Sequence, residues 1–225
     1  MTKSDDDPAA ALLMREVEEE LKREQYLKIW KRYGGWIVGA AVAVVAIVAG
    51  YQGWQAWEKG VRAEEASRYA AAMDQVVGQP KQAVDALAAL AADSHTGYAT
   101  VARLRRAGLL AESGDVAGAT SAFEGIVADD GIERTYRDLA TVRLVLLTLD
   151  DGDPAQLASR LQALADGPWR HSALELSALL AQRQGDPDKA RDIYRQLADD
   201  AATPQDLRAR AAEMLAALGN DTRKG

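Results

Sequence analysis

An uninterrupted run of uncharged residues near the N-terminus constrains this chain most. From Tyr33 to Trp57 the sequence contains no Asp, Glu, Lys or Arg. These 25 residues would extend about 37 Å as an α-helix, which exceeds the roughly 30 Å hydrocarbon core of a bilayer. The sequence therefore predicts a helix over residues 33–57 that crosses a membrane once.

Aromatic residues at both ends of this stretch support a membrane span. Tyrosine and tryptophan rings prefer the headgroup level of a bilayer, because one edge is polar and the rest is apolar. A buried core helix has no reason to gather its aromatic residues at its two ends. Six residues are therefore predicted to lie at the membrane interface: Trp30, Tyr33, Trp36, Tyr51, Trp54 and Trp57.

The segment before the span distinguishes an anchor from a cleaved export signal. A secretory signal has a short basic leader and an apolar region of about 7–15 residues. Here residues 1–32 form a long leader that is rich in acidic residues. Asp7-Pro8 predicts the start of an amphipathic helix, which is either solvated or docked on a partner. We predict an uncleaved anchor, with cleavage after Gly50 as the alternative.

Basic residues beside the span predict its orientation, since cytoplasmic flanks carry an excess of Lys and Arg. Residues 13–32 contain six such residues and residues 58–77 contain three. The N-terminus is therefore predicted to be cytoplasmic, with residues 58–225 on the opposite side, of which residues 58–219 form the repeat domain. In a bacterial inner membrane that side is the periplasm.

Composition argues against several functional classes. The formal net charge of -7 opposes sequence-independent nucleic-acid binding, which needs many basic residues. The absence of cysteine removes thiolate chemistry and cysteine-ligated metals. His95 and His171 lie far apart without metal-ligand spacing. No nucleophile and base are paired in a recognisable motif, so we expect no enzymatic activity, no cofactor and no small-molecule substrate.

A turn motif recurs through the rest of the chain. Its spacings of 36, 38 and 33 residues are close to the 34-residue period of tetratricopeptide repeats. The glycine accepts the left-handed conformation that ends one helix, the aspartate caps the next helix, and the proline fits its first turn. The four turns are Gly78-Gln79-Pro80, Gly114-Asp115-Val116, Gly152-Asp153-Pro154 and Gly185-Asp186-Pro187.

A small and a bulky residue follow most of these turns at fixed distances. Five and nine positions after the glycine stand Ala83 and Leu87, Ala119 and Phe123, and Ala190 and Tyr194. This pattern resembles the tetratricopeptide motif, in which the small residue lets helices approach and the bulky residue fills the space between them. The third unit has Leu157 and Leu161 instead, so wider packing is expected there.

The resulting prediction is an all-α protein, with a single N-terminal transmembrane helix followed by a tetratricopeptide-like α-solenoid. Pro204 begins a terminal helix that Gly219 closes and that covers the last apolar face. Residues 220–225 are expected to be frayed. The helices predicted for the repeats are 58–77, 81–92, 97–112, 116–128, 133–149, 154–165, 169–184 and 187–199.

The whole layout resembles a known family. The segments that carry the resemblance are "LKIWKRYGGW", "GYQGWQAW", "GYATVARLRRAGLLAESGDVAGATSAFEGIV" and "GPWRHSALELSALLAQRQGDPDKARDIYRQL". Over residues 12–219 the chain is similar to the YfgM-type ancillary subunits of the Sec translocon. The resemblance implies an inner-membrane protein of Gram-negative bacteria without catalytic residues. It also implies that the periplasmic repeats bind translocon subunits and a membrane-anchored prolyl-isomerase-like chaperone.

The first helix of each tetratricopeptide pair lines the concave surface, which suggests a partner-binding stripe. Positions 13, 10 and 6 before each turn glycine supply it, although these residues could instead pack in the core. A different function for such a scaffold is the coordination of cell-envelope assembly, division or cytochrome maturation. The stripe consists of Val101, Leu104 and Gly108, then Leu139, Val142 and Leu146, then Ser172, Glu175 and Leu179.

Overall fold

The computed structural model describes the backbone of residues 8–221 and the side chains of residues 27–28 and 30–219. These residues form α-helices joined by short turns, and none of them lies in a strand. The chain divides into two compact units, residues 1–61 and 62–225. The helices are α1 (Pro8–Asp74), α2 (Pro80–Asp93), α3 (Tyr98–Glu112), α4 (Val116–Val127), α5 (Arg134–Leu147), α6 (Pro154–Gln162), α7 (Arg170–Arg183), α8 (Pro187–Asp199) and α9 (Gln205–Asp221).

Helix α1 begins at Pro8, as predicted, and continues without a break to Asp74. Among the described residues, only its segment Trp30–Asp74 is long and apolar enough to cross a membrane, with a hydropathy of 2.0 in its most apolar window. Only 6% of that window is buried, so the window lies outside the core of this fold. The last turns of the segment do belong to the core, since Ala72 packs in a cluster with residues of α2 and α3. The cap at Asp7 and the side chains of the amphipathic leader lie outside the described residues.

The turns between helices follow the predicted chemistry at most positions. Gly78, Gly114 and Gly185 adopt positive φ angles of 106°, 82° and 74°. Each aspartate of the motif accepts a hydrogen bond from a backbone amide in the first turn of its helix. The acceptors and donors are Asp115 with Gly118, Asp153 with Ala155 and Gln156, and Asp186 with Lys189.

Gly152 departs from the predicted left-handed conformation, and the prediction for this turn is wrong. Its φ angle is not positive, unlike those of the other three turn glycines. The Gly152 amide donates a 2.8 Å hydrogen bond to the Thr148 carbonyl. A Cβ atom at Gly152 would lie 2.7 Å from that carbonyl oxygen. Glycine is therefore required here by close backbone approach rather than by handedness.

The small and bulky positions of the repeat form the core, as predicted. Ala83, Ala119 and Ala190 are completely buried, and the bulky residue that follows each of them is at most 3% exposed. In the third unit, Leu157 and Leu161 are also buried, in a cluster with residues of α5 and α7. Helix α6 has only nine residues. Helices α5 and α7, on either side of it in the chain, also contact each other directly.

Helix α9 covers the end of the last repeat. Leu207 and Ala211 of α9 are buried against Tyr194 and Leu197 of α8. This packing confirms the predicted terminal helix. The helix continues through Gly219 to Asp221, however, so the predicted end at Gly219 is wrong. A helical glycine costs only about 1 kcal/mol relative to alanine, which neighbouring turns can offset. Of the predicted frayed tail, residues 222–225 lie outside the described part.

Candidate binding groove

A groove of about 660 Å³ opens between α3 and α5. These helices are the first members of successive helix pairs, and they contact each other directly. The groove contains five residues of the stripe that the sequence suggested: Val101, Leu104, Gly108, Leu139 and Leu146. The tertiary structure thus brings part of that stripe to one concave surface.

The base of the groove is well packed and its rim is open. Phe123 is 3% exposed and belongs to the core cluster beneath α3 and α5, on which Leu104 and Leu147 rest. At the rim, Leu146 is 50% exposed and Tyr136 is 39% exposed. A soluble monomer gains nothing from presenting large apolar side chains beside a cavity, and such surfaces mark interaction sites.

Gly108 leaves a notch in the wall that α3 contributes. A Cβ atom there would meet only the Arg105 Nη1 atom, at 3.8 Å, which is an ordinary contact distance. The corresponding positions of α5 and α7 carry the side chains of Leu146 and Leu179. The absent side chain therefore adds to the volume of the groove.

Of the two arginines that line the groove, one forms an ion pair among the described residues and the other does not. Arg105 Nη1 donates to Glu112 Oε1 at 2.8 Å, so these two charges neutralise each other. Arg143 is exposed and also lines the groove. No ion pair of Arg143 occurs within the described part of the chain. The groove is therefore apolar with one uncompensated positive charge.

The remaining stripe residues lie elsewhere. Val142 and Leu179 are partly buried against the core cluster of α5, α6 and α7, in agreement with the alternative that they pack internally. Glu175 accepts from Arg210 of α9 at 3.0 and 3.1 Å, and Ser172 is half-buried. These four residues do not join the groove. The role of the whole stripe in partner binding stays a prediction.

Tyr69, Tyr136 and Arg143 are among the groove residues that the predicted stripe did not include. Tyr136 and Arg143 lie three residues before and four residues after Leu139. Helical spacing places all three on one face of α5, so this signal was present. Tyr69 belongs to the last turns of α1, and its position in the groove depends on how that helix packs against the repeats. No local pattern indicates that contact.

The histidine and tryptophan near the start of α7 have structural roles. Trp169 Nε1 donates to the Thr135 carbonyl at 3.0 Å, which ties α7 to α5. His171 is buried and lies 3.1 Å from Asp200 Oδ2. The pKa of Asp200 is held below its ordinary value, mainly by a hydrogen bond from the Ala202 amide and also by the hydrogen bond with His171. Within the described ranges no group of three His, Cys, Asp or Glu residues could hold a metal ion.

The six aromatic residues predicted at the membrane interface all lie on α1. Each is at least 49% exposed in the chain itself: Trp30, Tyr33, Trp36, Tyr51, Trp54 and Trp57. The rings of Trp54 and Trp57 stack at a tilt, with centroids 5.3 Å apart. Their contact with lipid stays a prediction.

The fold is a helical-repeat scaffold of the kind that supports protein–protein interaction. Its helices are paired, most of its turns contain a glycine, and its apolar groove lies on α3 and α5, the first helices of two successive pairs. The chain belongs to the tetratricopeptide repeat-like domain family, which it matches over residues 28–219. This match confirms the repeat class predicted from the turn spacing.

A comparison of structures supports the same fold. The chain is similar to the crystal structure of nearly identical tetratricopeptide-like repeats, from a Podospora anserina protein described as a kinesin light chain. The TM-score is 0.54 at 18% sequence identity, and the alignment covers 71% of this chain and 86% of the other. No curated protein matches the chain. At this identity the likeness concerns the fold alone.

Proposed function

We propose that this protein is a membrane-anchored binding scaffold, an ancillary subunit that links the Sec translocon to periplasmic chaperones. The observation that carries the proposal is the groove between α3 and α5, with its exposed apolar rim and packed base. Tetratricopeptide-like folds are typically non-catalytic, and we assign no reaction to the chain. The sequence resemblance to YfgM-type subunits supports the particular partners: translocon subunits and a membrane-anchored prolyl-isomerase-like chaperone.

The apolar segment of α1 gives the proposal its physical basis. A helix of that length and hydropathy inserted in the inner membrane would confine the repeats to a thin layer above the bilayer. Tethering raises the effective concentration of a binding site towards other membrane proteins without adding a contact. A groove of modest affinity would then be sufficient. The flanking charges support a cytoplasmic N-terminus and a periplasmic repeat domain.

Site-specific crosslinking in cells tests the proposal. Photo-reactive residues at Leu139 and Leu146 place the probe on the groove wall and on its rim. We expect both to trap a translocon subunit or the prolyl-isomerase-like chaperone. A matched probe at Gln196, exposed on α8 and absent from the groove lining, should not trap it.

Crosslinks from the groove positions to this protein alone would contradict a translocon role. Depletion of the protein provides a second measurement. Accumulated export precursors support the proposal. Chained cells or lost c-type cytochromes would instead identify a coordinator of division or cytochrome maturation.

A further inference from the structure

We infer that the groove accepts an amphipathic segment of a partner protein, with a bulky apolar side chain seated at Gly108 and a carboxylate paired with Arg143. This inference rests on the binding role proposed above and specifies the chemistry of the ligand. Two independent features of the groove lead to it: an absent side chain and an unpaired charge.

The absent side chain is that of Gly108. Open space lies where its Cβ would be, since only the tip of Arg105 is within 4 Å. Ala111 and Phe123 also line the cavity, so the space is bounded by small and apolar groups. A leucine or phenylalanine from a partner would bury its side chain there, and removal of that apolar surface from water favours binding.

The unpaired charge is that of Arg143. Glu112 neutralises Arg105, which leaves a net charge of about one positive unit among the lining residues. Residues 58–225 as a whole contain 26 acidic and 20 basic residues. A basic partner segment would therefore be attracted to the general surface, whereas an acidic one is favoured at the groove. Such complementarity selects partners more than it adds affinity.

The dimensions of the groove fit a short segment. Its lining along α3 extends from Val101 to Glu112, which corresponds to about 16 Å of helix axis. Three helical turns, or about five extended residues, match that length. A second copy docking groove to groove would bring two Arg143 guanidinium groups together around a two-fold axis. The charge thus favours a different, acidic partner.

Peptide binding to the full-length protein in detergent micelles tests the inference. The probes are fluorescein-labelled, alanine-based peptides of about 12 residues that form up to three helical turns. One carries Phe and Glu four positions apart, one carries Phe and Lys, and one carries Ala and Glu. By fluorescence polarisation we expect the Phe–Glu peptide to bind about fivefold more tightly than the Phe–Lys peptide. The Ala–Glu peptide should bind more than about tenfold more weakly.

Two substitutions and one control locate the site. R143E should reverse the preference, so that the Phe–Lys peptide binds more tightly than the Phe–Glu peptide. G108L should weaken the Phe–Glu peptide by more than about tenfold, because leucine fills the notch. G125L makes the same change at an exposed position of α4, where a Cβ atom also meets open space, and should leave binding as in the wild type. Helical circular dichroism of each variant checks that the fold is retained.

Equal binding of the three peptides would overturn the inference, as would a preference for Glu that persists in R143E. Sedimentation that shows groove-dependent self-association would overturn it too, since the occupant would then be a second copy. The proposed function and the ligand chemistry of the groove can be refuted independently of each other. Peptides that follow the expected rules without translocon crosslinks refute only the proposed function. Translocon crosslinks that survive both R143E and G108L refute only the assigned ligand chemistry.

Discussion

At the scale of single residues, the turn spacing of the sequence selects which side chains are buried. Tyr194 stands nine positions after Gly185 and is 1% exposed. Its hydroxyl accepts a hydrogen bond from Gln182 Nε2 at 2.9 Å. Burial is the main cause that raises the pKa of Tyr194, and the Gln182 bond only partly opposes it. The phenol therefore stays neutral, and its ring serves as a packing element between α7 and α8.

Substitution of Tyr194 should separate packing from hydrogen bonding. We expect Y194A to lower the free energy of unfolding by about 3–5 kcal/mol, because it opens a cavity in the core. Y194F should cost only about 1 kcal/mol, since it removes one neutral hydrogen bond. Urea unfolding followed by circular dichroism measures both. Y136F, at the exposed rim of the groove, is the control and should change stability by less than about 0.5 kcal/mol.

Glu65 is a buried carboxylate that joins α1 to the loop between α2 and α3. It is 6% exposed and accepts a hydrogen bond from the Thr96 hydroxyl. Burial by itself raises its pKa, but hydrogen bonds from Thr96, Ser94 and the His95 backbone together hold the pKa below its ordinary value. A lowered pKa in the folded state means that the carboxylate stabilises the fold above the unfolded pKa. That contribution is lost as the pH falls through the folded pKa.

The pH dependence of stability should therefore differ between the wild type and E65Q. At pH 7 we expect E65Q to be less stable by about 1.5–3 kcal/mol, the value of hydrogen bonds to a charged group. The difference should shrink as the pH falls below the ordinary glutamate pKa of about 4.3. Thermal unfolding between neutral and acidic pH measures it. E64Q, at an exposed neighbour, should follow the wild type; a constant difference for E65Q at every pH would contradict the assignment.

At the scale of elements, the same tripeptide makes turns in two different ways. Gly185 has a φ angle of 74°, which side chains rarely adopt, and its surroundings are open. Gly152 lacks a positive φ angle but lies against the Thr148 carbonyl. Both turns place an aspartate cap on the next helix, through Asp186 and Asp153. Alanine should disturb both turns, for different physical reasons.

Asparagine substitution distinguishes the two turns. We expect G185A to cost about 1–2 kcal/mol, the penalty of a left-handed residue. G185N should recover part of that loss, because asparagine tolerates this region. G152A and G152N should both destabilise by a similar amount, since any Cβ meets the same carbonyl oxygen. Urea midpoints of the four variants test this, with G125A at an exposed position of α4 as a control that should be neutral or stabilising.

At the scale of the whole molecule, the apolar surfaces of the repeats and of the N-terminal segment are covered in different ways. The repeats bury a series of core clusters, and each helix packs on its neighbours along the chain, so the last pair needs a cover. Helix α9 provides that cover through Leu207 and Ala211. The apolar segment of α1 instead exposes its large side chains within the chain itself. Lipid is the proposed environment for that surface.

Detachment of α9 should loosen the end of the repeats. L207D places a charge at a position that is 6% exposed, and an unpaired buried charge costs several kcal/mol. We expect faster proteolysis in the connection at residues 200–204, detected by mass spectrometry, with α1 to α7 still protected. D206A, on the exposed side of the same turn, should be cleaved as slowly as the wild type.

Orientation in the membrane should follow the flanking charges. A fusion of alkaline phosphatase after Gly219 is expected to be active in a bacterial host, because this enzyme matures only in the periplasm. A fluorescent protein that folds only in the cytoplasm should remain dark at the same position. The opposite pattern would refute the predicted topology. Replacement of Lys28, Lys31 and Arg32 by glutamate should reduce the phosphatase signal, since it removes half of the basic residues in residues 13–32.

Local spacing was sufficient for the helices and for their core positions. Glycine, aspartate and proline act on their own backbone and on the next turn, so their pattern can be read over a few residues. The burial of Ala83, Ala119 and Ala190 followed from the same spacing. The apolar segment of α1 was equally evident, because its length and hydropathy depend on composition alone.

Only the tertiary structure decided which surfaces meet. Leu139 and Leu146 line the groove, whereas Val142 between them packs against the core cluster of α5, α6 and α7. Glu175 pairs with Arg210, 35 residues away, and so leaves the predicted stripe. Tyr69 of α1 lines the groove because the last turns of that helix pack against the repeats. Sequence spacing specifies which residues share one face of a single helix. A binding surface is formed by the faces of several helices, so its composition depends on how those helices pack together.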